Sequence, residues 1–303
     1  FSINLSIFSF PMQNHKAGYV NIVGKPNVGK STLMNALLGE KLSIITPKAQ
    51  TTRHRIIGIA NDENYQIVFS DTPGIIKPGY KLQEYMMSFV MSAMDDADLF
   101  ILLTEPQDDF DDPKTLEILR NSKVPVMLLI NKIDLANQQQ VVEKCEYWKG
   151  LCPGFYVLPI SALERFNLEA VMQKILELLP ISPPYFPKDD LTDKPIRFFV
   201  AEMIREKILL HYQKEIPYSV EVTIESYEDK ETIANIRSVI YVARDSQKGI
   251  LIGHKGKALK RVGSEARKDI ENFLGKQVFL DLHVKVNKNW RDNDLQLERF
   301  GYK

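Results

Sequence analysis

From Gly18 to about Pro180, short apolar runs alternate with longer stretches whose apolar positions recur at helical spacing. The runs YVNIVG, YQIVFS, DLFILLT, VPVMLLIN and FYVLPIS predict strands, and STLMNALLG, LQEYMMSFVMSAM and NLEAVMQKILELL predict helices among them. Such alternation specifies an α/β fold, a mainly parallel sheet with helices on both faces. IGIANDE before YQIVFS predicts a hairpin and hence one antiparallel strand. ISPPYFPKDDLTDKP follows at residues 181–195, and its four prolines and three aspartates read as a linker.

After the linker the order changes. A helix (RFFVAEMIREKILLHY), two strands (YSVEVTIESY and ANIRSVIYVA), two helices around IGHKGKALKRVGSEARKDIENFLG and a strand (QVFLDLHVKV) predict a smaller α-β-β-α-α-β unit. The expected domains are therefore 16–180 and 195–303 joined by 181–194, with residues 1–15 an N-terminal extension. A length of 303 residues agrees with two domains.

Composition narrows the class. Hydrophobic residues at 44% and charged residues at 26% suit a globular protein with two cores and exclude fibrous or wholly disordered chains. Lys+Arg and Asp+Glu balance at 39 each, yet residues 195–303 hold 20 basic against 16 acidic side chains. Between Arg244 and Arg291 the count is 12 against 5, a local net of +7, which points to a polyanion-binding face. Cys145 and Cys152 fit neither zinc nor redox spacing and read as reduced thiols. No apolar run is long enough to span a membrane. FSINLSIFSFP lacks the charge and cleavage pattern of a signal peptide, so residues 1–11 are set aside as preceding a start at Met12.

Gly24-Lys25-Pro26-Asn27-Val28-Gly29-Lys30-Ser31 fits G-x-x-x-x-G-K-[ST] between a predicted strand and a helix, with Thr32 beginning the helix. Its backbone amides and helix N-terminus can face phosphate, Lys30 can reach the β and γ phosphates, and Ser31 can ligate Mg²⁺. Asp71-Thr72-Pro73-Gly74 ends the next long strand, where Asp71 can hold Mg²⁺ through water and the Gly74 N–H can meet the γ phosphate. Asn131-Lys132-Ile133-Asp134 ends a further strand, and the Asp134 carboxylate can accept both N–H groups of a guanine edge, which adenine lacks. Ser161-Ala162-Leu163 would close the base pocket through backbone N–H groups. All these positions lie at strand C-terminal ends, where open α/β sheets bind ligands, and together they specify GTP with Mg²⁺.

KAQTTRHR is the expected switch segment, in which Thr51 or Thr52 can ligate Mg²⁺ while a γ phosphate is present; Thr52, beside Arg53, is the choice. Gly253-His254-Lys255-Gly256 fits a GxxG loop that lets RNA approach the backbone, and Lys257, Lys260, Arg261, Arg267 and Lys268 extend its charge. His15, His54, His211 and His283 show no ligand spacing and are read as structural or surface residues.

The motifs GKPNVGKS, QTTRHR, DTPG and NKID, followed by IGHKGKALKRVG and the ending VKVNKNWRDNDLQLERFGY, resemble the bacterial Era GTPases over residues 16–303. The resemblance implies a Ras-like P-loop domain and a type II KH domain that binds the 3′ region of 16S rRNA during 30S assembly. It implies a cytoplasmic, monomeric protein, with peripheral attachment to the inner face of the cell membrane left open. In related GTPases an asparagine at the place of Asn27 helps to hold K⁺, which makes K⁺ an expected second cation. Ile75, where Ras-like proteins often carry a water-orienting glutamine, implies slow intrinsic hydrolysis. The catalytic set is then Lys30, Asn27, Thr52 and Gly74. Two alternatives stand beside this reading: a non-catalytic, nucleotide-dependent RNA-binding module, and a different ribosome-assembly or tRNA-modification GTPase.

Overall fold

The computed structural model describes residues 14–107, 110 and 112–302. The start at Met12 and the segment 1–11 lie outside the described residues. His15, grouped with the extension on sequence, is buried, with Nδ1 against Ser182 O at 2.8 Å and Nε2 against Lys188 Nζ at 2.8 Å.

The first unit runs β1 (Lys16–Gly24), α1 (Lys30–Leu38), β2 (Ile56–Asn61), β3 (Tyr65–Asp71), α2 (Lys81–Asp95), β4 (Leu99–Thr104), α3 (Pro113–Arg120), β5 (Val126–Ile130), α4 (Gln138–Leu151), β6 (Tyr156–Pro159) and α5 (Leu168–Leu178). Its sheet has the order β2-β3-β1-β4-β5-β6, parallel except for the β2/β3 hairpin. Strands β4 and β5 are buried at every position, because helices cover both faces and leave no polar side to the alternation. The order reverses at β1, so a crevice opens at its C-terminal end, where the glycine loop begins. Helices α3 and α4 start at sharp caps: Asp112 accepts from the Thr115 hydroxyl at 2.5 Å, and Asn137 and Gln140 form a reciprocal capping box.

The linker forms no regular element, but it is strapped to the hairpin. Ile59 N donates to Leu191 O at 2.9 Å, Thr192 Oγ1 to Ile57 O at 2.7 Å and Asn61 Nδ2 to Asp190 O at 3.0 Å. These bonds cover the edge of β2, which would otherwise present unpaired backbone.

The second unit comprises α6 (Ile196–His211), β7 (Val220–Asp229), β8 (Ile233–Val242), α7 (Asp245–Ile252), α8 (Lys257–Leu274) and β9 (Gln277–Val286), followed by α9 (Asp294–Arg299). Strand β7 pairs antiparallel and β9 parallel with the central β8. Val262, Ala266 and Ile270 give α8 a buried stripe four residues apart and leave its basic side chains outside.

The tail was not anticipated from sequence, since six residues of α9 are too few to display a helical period. Trp290, Leu297 and Tyr302 bury themselves in a cluster with Leu82 and Met86 of α2, and Ile76 packs against it. Each fully buried apolar side chain there contributes about 1.5–3 kcal/mol. The tail thereby clamps the second unit to the first.

Candidate functional site

The loop from Gly24 to Lys30, the ends of β3 and β5, and the turn after β6 enclose a cavity of about 560 Å³. Asn27, Lys30, Ser31, Thr52, Gly74, Asn131, Lys132, Asp134 and Ser161 all line it. Residues spread over more than a hundred positions of the chain are thus brought together, most of them by strand order.

Lys30 is buried and donates through Nζ to Gly24 O at 3.1 Å and Lys25 O at 2.8 Å. Burial pushes its pKa down to about 8, with the Asp71 carboxylate acting the other way. Ser31 Oγ donates to Asp71 Oδ2 at 2.7 Å, Thr52 Oγ1 donates to the same oxygen at 3.3 Å, and the two hydroxyls lie 3.0 Å apart. Asp71 Oδ1 is buried without a well-formed hydrogen bond among the described residues, the Ser43 hydroxyl being its polar neighbour, and burial raises the carboxyl above its usual range. An anionic oxygen left unpaired beside two hydroxyl oxygens is a donor set suited to a hard divalent cation, so Ser31, Thr52 and Asp71 fit Mg²⁺.

Gly74 passes so close to the glycine loop that a Cβ would lie 2.6 Å from Pro26 N. Ile75 N donates to Gly24 O at 3.1 Å, and the Ile75 side chain packs into the cluster containing Val23 and Phe100. Asn27 sits in the left-handed region at φ 66° and donates through Nδ2 to Pro47 O at 3.2 Å.

At the other end, the expected roles shift. Asn131 is buried and spends its side chain on the protein, donating to Val28 O at 2.8 Å and accepting from Ala162 N at 2.9 Å. It therefore ties the phosphate loop to the base pocket. Of the backbone N–H groups of Ser161-Ala162-Leu163 expected to close the base pocket, that of Ala162 is engaged by this bond, and Ser161 N pairs with Phe166 O at 3.3 Å. Leu163 N–H is the amide of the three left without a partner among the described residues. Ser161 Oγ donates to Asp134 Oδ1 at 2.6 Å and so fixes that carboxylate, while Lys132 pairs with Glu105 at 2.7 Å.

In the second unit, His254–Gly256 form a single turn between α7 and α8. Gly253 has φ 72°, and a Cβ there would meet Ala258 Cβ at 2.6 Å, so only glycine fits. His254, Lys255, Lys257, Lys260 and Arg261 are exposed on one side of this turn, and Arg261 is partly engaged by Glu265 at 3.2 Å. Beside them runs a groove of about 510 Å³, lined by Gly256, Leu259, Lys260, Gly263, Ser264, Arg267, Leu280 and Leu282. The motif reading missed the Leu280 and Leu282 wall, because β9 contributes it as an edge strand more than twenty residues away.

Residues 19–132 match the family described as 50S ribosome-binding GTPase, and residues 215–291 match the KH domain family. GTPase Era of Thermoanaerobacter sp. (strain X514) is 44% identical over 292 residues, covering 95% of this chain and 97% of its own length. A chloroplastic GTPase ERA-like protein of Oryza sativa subsp. japonica is 43% identical over 301 residues, covering 95% of this chain and 70% of its own. The crystal structure of Era in complex with MgGDPNP and nucleotides 1506–1542 of 16S ribosomal RNA matches with a TM-score of 0.90 and 39% identity, covering 95% of this chain and 99% of that one. Aquifex aeolicus Era bound to GDP and AlF4⁻ matches with the same TM-score, identity and coverage. No helix among the described residues is long and apolar enough to cross a membrane. Because the likeness runs through both units in their order, the alternatives of a non-catalytic module and of a GTPase with another appended domain fall away, and the chain belongs to the Era family of GTPases, enzymes that hydrolyse GTP.

Proposed function

We propose that residues 16–180 bind GTP with Mg²⁺ and hydrolyse it, and that residues 195–303 hold the 3′ region of 16S rRNA during assembly of the 30S subunit. The observation that carries the nucleotide half is the meeting of Ser31 and Thr52 on one Asp71 oxygen while the other oxygen is unpaired, in a cavity with Asp134 at its far end. The RNA half is supported by the groove beside Gly253–Gly256 and by the Era crystal structure that contains nucleotides 1506–1542. The protein acts as a monomer in the cytoplasm, where ribosomal subunits assemble.

In this reading water attacks the γ phosphorus in line, the bond to the β-phosphate oxygen breaks, and GDP and phosphate leave. Lys30 and the Gly74 N–H stabilise the negative charge on the transferring group. Bound by Ser31, Thr52 and Asp71, Mg²⁺ supplies neutralisation of the phosphate oxygens. Asp134 accepts the guanine N–H groups, and the free Leu163 N–H meets the guanine carbonyl. Ile75 is turned into the core and offers the water no hydrogen bond, so intrinsic turnover is slow. Asn27 has its Nδ2 fixed on Pro47 O, which leaves Oδ1 to hold K⁺.

Single-turnover phosphate release tests the enzymatic half: it should be faster in K⁺ than in Na⁺, and Asn27→Ala should erase the difference. Equal rates in both salts remove K⁺ from the mechanism. Titration with 16S 3′ RNA tests the other half: Gly253→Asp should abolish binding while GTP affinity stays intact, and unchanged RNA affinity would reject the groove. Lys257→Ala or Lys260→Ala should lower the salt slope of RNA binding by about one per lost phosphate contact.

A further inference from the structure

The segment that carries Thr52 has no regular secondary structure, and the residues on either side of Thr52 are tied to the second unit. Arg53 is buried and donates through Nη1 to Val220 O at 2.7 Å and Glu221 Oε2 at 3.0 Å, and through Nη2 to Pro217 O at 3.2 Å. On the other side of Thr52, the carbonyl of Thr51 accepts from Arg205 Nη2. Arg205 is itself aimed by Glu202, whose Oε1 accepts from its Nε at 2.7 Å. Tyr302 Oη donates to Glu221 Oε2 at 2.9 Å, and its ring stacks on His54 with centroids 4.3 Å apart.

The first unit holds the same stretch through side chains: besides the two hydroxyl contacts of Thr52, Thr51 Oγ1 donates to Lys48 O at 2.7 Å and lies 2.6 Å from Thr46 Oγ1, Gln50 accepts from Tyr80 Oη at 3.1 Å, and the His54 ring packs on Phe89. Thr52 therefore reaches the cation site while both its neighbours are fixed to the other unit. Arg53 and Arg205 balance Glu202 and Glu221 in a buried cluster of zero net charge. Withdrawing residues 51–54 would strip Glu221 of its ionic partner, and a buried charge resists losing its counter-charge. Consecutive Cα atoms are about 3.8 Å apart, so a displacement of Arg53 passes to Thr52 almost undiminished.

We infer that Arg205 and Glu221 are positioning residues for GTP hydrolysis, holding residues 51 and 53 so that the Thr52 hydroxyl stands beside Ser31 and Asp71. This rests on the reading of Ser31, Thr52 and Asp71 as the Mg²⁺ site. The first unit's nucleotide site is then incomplete without the second: the KH-bearing half supplies the outer support of the switch segment as well as the RNA groove.

The test uses the full chain and the variants Thr52→Ala, Glu221→Gln and Arg205→Ala, with Arg205→Lys in reserve should the alanine variant not fold. Single-turnover hydrolysis and the affinities for GDP and for a non-hydrolysable GTP analogue, both with Mg²⁺, are measured for each. Glu221→Gln and Arg205→Ala should slow hydrolysis between about ten- and a hundredfold, the range expected of an ångström-scale misplacement. They should weaken the analogue while leaving GDP affinity unchanged, a selective loss that general damage to the fold does not produce. Combining Glu221→Gln with Thr52→Ala should cost no more than Thr52→Ala alone, because both act through one hydroxyl. Equal losses for GDP and the analogue, or additive losses in the double variant, would overturn the inference. If Thr52→Ala is itself silent, the Mg²⁺ reading fails; if Thr52→Ala is impaired and the second-unit variants are not, the positioning role alone fails.

Discussion

At the guanine end of the nucleotide cavity, Asn131, Ser161 and Asp134 are held by one another and by Val28 and Ala162, all within the unit built on the six-stranded sheet. At the metal end, the segment bearing Thr52 is held by α6 and β7, with Arg53 and Glu221 separated by 168 positions in the chain. The first end draws its hydrogen bonds from one unit; the second draws on both. Base selectivity is therefore a property of one unit, and response to the γ phosphate a property of two.

The largest effect that separates the two ends is expected from Asp134→Asn. A site built to pair a donor edge rejects one that cannot pair by a factor on the order of 10⁴, so GTP should weaken by about that much and xanthosine triphosphate should gain. Titrations with GDP and GTP should fall in parallel, since the base pocket does not sense the γ phosphate. A loss confined to GTP would break the comparison.

Next comes Arg53→Ala, which leaves Glu221 buried without its cation and should cost about 3–5 kcal/mol of stability. Urea denaturation reads the loss, and GDP affinity of the folded variant should hold. The burial of His54 gives a pH-dependent version of the same test. Its ring is packed by Phe89, Phe198 and Tyr302 and faces Glu202, Arg205, Lys194 and Arg53, and burial pushes its pKa down from 6.5 to about 4. The unfolded chain takes up a proton at this residue before the folded one does. The contribution is therefore complete above pH 6.5 and is lost as the pH falls towards 4, by about 3 kcal/mol in all. His54→Phe should flatten that part of the stability profile; an unchanged acid limb would mean that His54 is not held neutral.

A loss of the same order is expected from Asn131→Ala. It leaves Val28 O and Ala162 N unpaired, at a cost of about 1–3 kcal/mol for each buried group, and should weaken GDP and GTP alike. A selective loss of GTP would show that the two ends are coupled through Asn131.

The legibility of these features followed their range along the chain. The glycine loop, Asp71-Thr72-Pro73-Gly74 and Asn131–Asp134 each bind through a strand and the turn that follows it, so a few consecutive residues carry both the geometry and the chemistry. Thr52, in a segment without regular structure, was singled out within KAQTTRHR for its place beside Arg53. The role of its neighbour Arg53 was hidden, because its partners Val220 and Glu221 lie on β7, whose alternation reads only as a strand, and Pro217 in the turn before it. Glu221 between Val220 and Val222 was a faint signal, a charge in a strand whose neighbours on both sides are buried. Which amide of Ser161-Ala162-Leu163 is left open was not legible, because sequence cannot tell which of two neighbouring polar groups will satisfy the other first. Leu280 and Leu282 became a groove wall only once β9 took the edge of its sheet.

The strap along β2 governs how the two units part and rejoin. Bonds from Ile59, Ile57 and Asn61 secure it as far as Thr192, so only Asp193, Lys194 and Pro195 separate the secured chain from the start of α6. A tether this short sets the effective concentration of one face for the other in roughly the millimolar range or above. A detached second unit is recaptured by its own partner before a dilute competitor can take the exposed face. Reassociation is then a first-order event, independent of how much protein is present.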